Sequence, residues 1–347
     1  LNGFDITPFI SFRKLDASQD IGIDGALAQS TINQTGLHRT PTEIKNKNNL
    51  TQQIYGTAIQ YHENEFSVGV IAYQSKYGNS FITQTAPYDK FSFTGNSLTN
   101  YGIYYNYTYR NMYLYGEGGK SFPGGFAYIN GALISLSPTV SAAVTYRNYA
   151  KDYHNFFNQA VSELSEPVNE KGIYTGLNIN PNKQWAFCVY GDYFRFPWLK
   201  YRVDAPSKGY EILSQATYTP NKIFKVLLRY KTENKQQNTD LDVPIIFIDD
   251  VKKEGYRFEC SWQANPKWGF QNRIEVSQYK KGDANAEFGY LLYQDIDYSP
   301  LFSKISGNLR IAYFNTPSYN SRIYAYEDDV LYSFAFGMYS GKGFRTY

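Results

Sequence analysis

From Tyr256 to Gln263 the chain alternates without a break. Tyr256, Phe258, Cys260 and Trp262 share one parity, and Arg257, Glu259, Ser261 and Gln263 share the other. After Asn265-Pro266-Lys267 the alternation resumes, with Trp268, Phe270, Ile274 and Val276 against Lys267, Gln271, Arg273 and Glu275. A period of two on both sides of a tight turn predicts a β-hairpin with one apolar and one polar face. Two registers keep those faces aligned. One opposes Arg257 to Arg273. The other pairs Arg257 with Glu275 and Glu259 with Arg273, closing on a three-residue Asn-Pro-Lys loop. Directly opposed like charges are unfavourable, so the second register is predicted.

The same pattern recurs along the chain. Strands are predicted at Phe4–Lys14, with Ile6, Pro8, Ile10 and Phe12 on one face, and at Gln53–His62 and Phe66–Tyr77 around Glu63-Asn64-Glu65. Leu98–Tyr109 and Met112–Lys120 follow, joined by Arg110-Asn111. Tyr101, Ile103, Tyr105, Tyr107 and Tyr109 form an apolar stripe on the first of them. Phe126–Leu136 with Val140–Tyr149, Gly172–Ile179 with Trp185–Phe196, Tyr210–Tyr218 with Ile223–Lys231, and Phe288–Tyr298 with Ile305–Phe314 turn at Pro138, Pro181, Pro220 and Pro300. Proline fixes φ and offers no ladder donor, which suits a hairpin end. These turns, with Pro266, recur at roughly 40 residues, two strands per repeat where a propeller blade would hold four.

Between the short turns lie long polar connections, among them Asp16–Asn49, with one helical turn near Thr42–Lys47, and Gly78–Ser97. Alternation of short and long connections puts all the short ones at one end. Strands of about ten residues match a tilted membrane strand. The predicted fold is therefore all-β: a transmembrane antiparallel up-and-down β-barrel of about sixteen strands, within a range of fourteen to eighteen, with short periplasmic turns and long extracellular loops. Residues 1–347 read as one such domain. Gly343–Tyr347 opens a last strand too short to close a barrel, so a few further residues are expected, with Tyr319–Gly341 as a large external or inward-folded loop. The alternative is that Val330–Met338 closes the sheet.

Composition sharpens this. Aromatic residues are 18% of the chain, with 35 Tyr, 24 Phe and 4 Trp, and Tyr and Trp favour membrane–water interfaces. Mean hydropathy is −0.49, and no stretch approaches the ~18 to 20 apolar residues of a membrane helix. Helical spans are excluded; barrels, in which every second residue can face water, are not. The net charge of +3 is too small to argue for a nucleic-acid partner. Cys188 and Cys260 are too few for a disulfide scaffold and fall on opposite parities, so no bridge is expected. No secretory signal is visible at Leu1-Asn2-Gly3-Phe4, and the sequence reads as a mature fragment or a domain cut from a longer precursor.

Candidate chemistry is sparse. His38, His62 and His154 are scattered without metal-ligand spacing and read as ordinary surface residues. Asp152 near His154 does not make a catalytic pair, and no enzymatic activity, metal or cofactor is expected. Asp240, Asp242, Asp249 and Asp250, and Glu327-Asp328-Asp329, lack calcium-loop spacing and read as solvated loop charge. Phe194–Arg202 interleaves aromatic and basic residues, so Arg195, Trp198, Lys200, Tyr201 and Arg202 are candidate rim anchors or contacts to sugar or lipopolysaccharide phosphate. The polar parity supplies candidate lumen-lining residues: Lys225, Arg229, Arg257, Glu259, Arg273, Glu275 and Arg310.

Several stretches resemble a known group. They are Thr35-Gly36-Leu37-His38-Arg39-Thr40-Pro41-Thr42-Glu43, Phe93-Thr94-Gly95-Asn96-Ser97-Leu98, Tyr146-Arg147-Asn148-Tyr149, Asn169-Glu170-Lys171-Gly172, Phe194 to Ser207, and Arg322 to Tyr332. Spread over nearly the whole chain, they resemble the C-terminal barrel portion of Bacteroidota outer-membrane proteins that contain helix-hairpin-helix units. The resemblance implies an outer-membrane location and an upstream module of a kind that generally binds DNA backbone. Here only Ile21-Gly22-Ile23-Asp24-Gly25 partly matches such a unit, so DNA is a partner only through that upstream module. The expected function is a non-enzymatic, porin-like outer-membrane barrel. It would act as a passive pore, or as a membrane anchor for the upstream module and for partner outer-membrane proteins or lipoproteins, in contact with outer-membrane lipid and lipopolysaccharide. The alternative is a secreted, soluble all-β binding protein or adhesin.

Overall fold

A computed structural model describes residues 3–21, 27–83, 85–240, 247–302, 304–327 and 335–347. Its strands are β1 (Phe4–Ile21), β2 (Leu27–Asn33), β3 (Leu50–Glu63), β4 (Phe66–Phe81), β5 (Gly95–Tyr109), β6 (Met112–Phe122), β7 (Phe126–Ser137), β8 (Val140–Tyr149), β9 (Glu170–Ile179), β10 (Trp185–Phe196), β11 (Ser207–Asn221), β12 (Phe224–Asn238), β13 (Ile248–Asn265), β14 (Trp268–Lys281), β15 (Glu287–Tyr298), β16 (Gly307–Thr316), β17 (Ile323–Glu327), β18 (Ala335–Tyr339) and β19 (Gly341–Thr346). A short helix, α1 (Pro41–Lys45), and a 3-10 turn at Pro87–Phe91 are the helical elements among the described residues.

Seventeen strands belong to one sheet, and β17 with β18 forms a separate ribbon. Antiparallel pairing of successive strands makes this an up-and-down β-barrel sheet. Sixteen of the seventeen are the strands read from the sequence. The seventeenth, β2, lies in the segment expected to be a polar loop. There β1 continues past Lys14 to Ile21 and pairs with β2, while Asp16 accepts from the Asn48 amide at 2.8 Å and meets His38 Nε2 at 2.6 Å. The helical turn expected nearby is α1, capped reciprocally by Thr40 and Glu43. The partial helix-hairpin-helix match at 22–25 lies outside the described residues.

The opening hairpin has the predicted register: Arg257 opposes Glu275, and Glu259 opposes Arg273. Its closure differs by one residue. A bulge after Gln263 brings Asn265 opposite Trp268, because the Asn265 carboxamide accepts from both Lys267 N and Trp268 N, at 2.9 and 3.2 Å. Asn182 and Asn221 close the turns after Pro181 and Pro220 in the same way. So β11 runs through Pro220, and the turn is Lys222-Ile223. The side-chain oxygen closes these turns, and proline only restricts them.

Three other expectations are corrected. The β6–β7 connection is only Pro123-Gly124-Gly125, and β14–β15 are joined by residues 282–286, so one end is not uniformly long. Gly124 has φ +127°, a conformation that lets three residues reverse the chain. The turn expected at Ser299-Pro300 is not tight: β15 ends at Tyr298 and β16 begins only at Gly307. The 335–338 part of Val330–Met338 pairs with β17 and not with the main sheet, while β19 pairs with β16; residues 330–334 lie outside the described set.

The chain forms two compact units: Leu1–Ile134 with Val144–Ile173 and Phe194–Ser207, and Ser135–Ala143 with Tyr174–Tyr193 and Lys208–Tyr347. In the first unit the exposed face is the apolar one. Phe4, Ile6, Ile10 and Phe12 on β1 and all five residues of the β5 stripe stand open. Five alternate residues span roughly 27 Å of strand, which at a tilt of 35–45° covers most of a ~25 Å apolar band. At their edge, Lys14, Gln53 and Gln74 take over the same face.

The opposite face of this unit is polar and covered. Arg13 donates to Gln52 at 2.5 Å, Gln52 to Tyr77 at 3.1 Å, and Gln60 to Ser67 at 2.9 Å. Residues 150–169 fold onto this face. Asn155 accepts from the Tyr73 hydroxyl, the His154 carbonyl accepts from Asn100, and Phe156 stacks on Phe81. Phe156 completes a core of Ala17, Leu50, Tyr77, Phe81, Phe93 and Leu98. Arg147 and Glu170, both fully buried, pair at 2.5 Å at the root of this segment.

Candidate functional site: the charged face of the second unit

On β11–β15 the residues at alternate positions form rows across the sheet. One row runs Gln215, Arg229, Arg257, Glu275, Leu291, and the next runs Thr217, Leu227, Glu259, Arg273, Tyr293. Arg229 directly opposes Arg257, so the two cations need neutralising neighbours. Gln215 accepts from Arg229 Nε and Nη2 at 2.8 and 2.6 Å. Glu275 takes Arg257 in a two-pronged bond at 3.0 and 3.3 Å. Arg273 Nη2 donates to the Glu275 oxygen that also accepts from Arg257 Nε, and Arg273 lies 3.7 Å from Glu259. The four-residue network expected from the hairpin register therefore exists, with Arg229 attached to it.

Arg310 sits one strand further on. Asp295 clasps it through both oxygens at 2.5 and 2.6 Å, and its guanidinium lies 3.8 Å from the Tyr293 ring centre. Arg273 and Arg310 are only 5% and 4% exposed, because the β17–β18 ribbon lies on them. Arg273 donates to the Tyr324 carbonyl at 3.2 Å and Arg310 to the Tyr326 carbonyl at 2.6 Å. Ile323 and Ala325 pack with Leu291, Tyr293 and Ala312. Glu327 accepts from the Tyr339 hydroxyl at 2.9 Å and from Arg345 at 2.6 Å. The described parts of Tyr319–Gly341, β17 and β18, thus lie on the charged face.

Of the seven residues expected to line a lumen, Arg257, Glu259, Arg273 and Glu275 form one network and Arg229 adjoins it. Arg310 is held apart by Asp295. Lys225 is exposed, beside an open cleft of about 300 Å³ that also carries Ser261, Gln263, Gln271 and Asp297. Glu327, expected as solvated loop charge, is instead buried and paired, while Asp295 and Arg345 carry roles that were not expected. Asp295 could have been found, since it shares the parity of Tyr293 and Leu291 on β15; Glu327 and Arg345 come together only through the ribbon.

The five rim candidates lie in the first unit. Arg195 is exposed at the end of β10. Trp198 is clamped by Asn169, which accepts from its amide at 2.8 Å and donates to its carbonyl at 3.1 Å. Lys200 stands 3.6 Å above the Phe196 ring centre, Tyr201 meets Tyr88 edge-on at 6.1 Å, and Arg202 lies over Tyr201.

The histidines do not behave alike. His62 is exposed near Asp5, whereas His154 packs against Phe93, and burial there pushes its pKa below the ordinary imidazole value although Asp152 opposes the shift. Among the described residues no three His, Cys, Asp or Glu gather at one point. Lys281 pairs with Asp240 at 2.6 Å; Asp242, Asp328 and Asp329 lie outside the described residues. Cys188 and Cys260 are both free thiols.

No protein-family model and no curated protein matches the chain. Solved structures do resemble it. Acinetobacter baumannii OccAB1 aligns with a TM-score of 0.42 at 9% identity, over 89% of this chain and 90% of that one. Pseudomonas aeruginosa OccK5 (OpdH) aligns with a TM-score of 0.41 at 8% identity, over 90% and 93%. A bacterial polysaccharide outer membrane secretin aligns with a TM-score of 0.39 at 10% identity, over 92% and 93%. At such identities and scores, nothing about what those proteins bind or pass transfers to this chain.

Proposed function

We propose that this chain is a non-enzymatic outer-membrane β-barrel protein that acts mainly as a membrane anchor, with at most a narrow passive path for small solutes. The observation that carries the reading is the inversion of faces: apolar and aromatic residues stand open while ionised residues lie on the covered face. A water-soluble sandwich needs the opposite arrangement, and so large an exposed apolar surface marks contact with lipid or a partner.

Aromatic pairs at the short-turn end of the second unit fit a membrane–water interface. Trp185 packs on Tyr218 at 4.5 Å, Trp268 on Tyr298 at 4.7 Å, and Trp262 on Phe270 at 5.3 Å. The anchor reading is favoured over a wide pore because each unit folds a connection onto its own polar face. The loop sequences that resemble Bacteroidota outer-membrane proteins agree with this address, and an upstream helix-hairpin-helix module and partner lipoproteins belong to the same proposal.

The test is reconstitution. The purified chain should need detergent, enter liposomes, and give a small conductance in planar bilayers that rises when residues 319–340 are deleted. A monomer that stays dispersed in plain buffer would end the membrane reading. A large conductance from the intact chain would end the anchor reading.

A further inference from the structure

In the first unit, two lysines from different segments converge on one aromatic pair. Phe91, at the end of the 3-10 turn, meets Trp198 edge-on at 5.0 Å. Lys151 Nζ lies 4.0 Å from the Phe91 ring centre and 4.5 Å from that of Trp198, and Lys90 Nζ lies 5.8 and 5.9 Å from the same two. Both ammonium groups lie within cation–π range of the same two rings, which places two positive charges within about 10 Å of each other. Among the described residues neither lysine has a carboxylate within ion-pair range, although Asp89 and Asp152 are their chain neighbours. The Trp198 indole Nε1–H is buried and has no acceptor among the described residues. A buried donor without a partner calls for an explanation, and an absent anionic acceptor is one. Asn169, 6% exposed, already clamps the Trp198 backbone, so the site is ordered before anything binds.

We infer that Lys90, Lys151 and Trp198 form a binding site for a phosphate monoester. Two ammonium groups balance its charge and donate to its oxygens. A carboxylate fits less well, because its smaller charge leaves one lysine unbalanced. The site depends on the membrane reading only for the source of the phosphate, which in an outer membrane is the phosphorylated headgroup of lipopolysaccharide.

The test titrates the full chain in detergent, by calorimetry, with three probes: lipopolysaccharide, phosphatase-treated lipopolysaccharide and inorganic phosphate. Wild type should bind the untreated lipid at least tenfold more tightly than the treated one. Lys90→Ala/Lys151→Ala should remove that difference, and Lys90→Arg/Lys151→Arg should keep most of it. If inorganic phosphate binds as tightly as the lipid, the site stands and its ligand is free phosphate. Equal binding of both lipids by wild type, no binding of any probe, or an alanine variant that keeps the preference while melting like wild type would each overturn the site. A chain that fails to enter liposomes yet passes this titration refutes the membrane reading and leaves the site intact.

Discussion

Arg147 and Glu170 show how much one residue carries. Both are fully buried, and Glu170 also accepts from the Glu163 amide at 2.8 Å, tying residues 150–169 to the sheet. Gly172 makes room for the guanidinium: a Cβ there would lie 2.5 Å from Arg147 Cζ. Removing one partner leaves an uncompensated buried charge, so Arg147→Ala should cost about 3–5 kcal/mol by urea unfolding in detergent, and Arg147→Met/Glu170→Leu distinctly less. Equal losses would show that the pair's charge is not what matters. His154 adds a pH term. Its folded pKa is depressed by burial, so the unfolded chain takes up the proton first as pH falls. Docking of residues 150–169 should therefore be unaffected above the ordinary imidazole pKa of about 6.5 and weaken below it. Amide protection factors in this segment, exchange measured against its intrinsic rate at each pH, should fall between pH 7 and 5, and His154→Phe should lessen the change.

At the scale of elements, the strands were legible because alternation is a local signal. All sixteen expected strands are present, and the register of β13–β14 followed from charge alone. What could not be read is where connections fold back. In Tyr319–Gly341 the alternation of Ile323, Ala325 and Glu327 against Tyr324 and Tyr326 looks like any strand, and only contact with Arg273 and Arg310 shows where the ribbon docks. The extension of β1 and the appearance of β2 depend on Asp16 meeting Asn48 and His38, groups more than twenty residues away in sequence. The phosphate site has the same origin, since Lys90, Lys151 and Trp198 come from three separate connections. The ribbon's tether can be separated from the stability of the wall. Arg310→Met strands Asp295 and frees the Tyr326 carbonyl, so it should both lower stability and speed amide exchange in Ile323–Glu327. Adding Asp295→Leu should recover much of the stability while exchange in the ribbon stays fast. If exchange slows again as well, the tether is not the Arg310–Tyr326 bond.

For the whole molecule, what matters is which solvent meets the apolar face, and position along the strand decides it. Ile103 is the middle residue of the β5 stripe, while Gln53 lies on the same face of β3 at the edge of the apolar band, opposite Phe12. Both are exposed, so their own contacts are similar and the surrounding medium makes the difference. If that medium is hydrocarbon, a lysine at mid-height should cost about 2–4 kcal/mol and one near the edge about 0–1 kcal/mol. If the face meets water, both substitutions fall within about 0.5 kcal/mol of wild type. Ile103→Lys and Gln53→Lys, compared by urea unfolding in lipid vesicles, should therefore differ by at least 1 kcal/mol, the expected depth dependence. Tyr105→Lys, one step along the stripe, should fall nearer Ile103→Lys than Gln53→Lys, because depth and not residue type sets the cost. Near-equal values for all three would mean that this face is not in lipid, whatever the strand count.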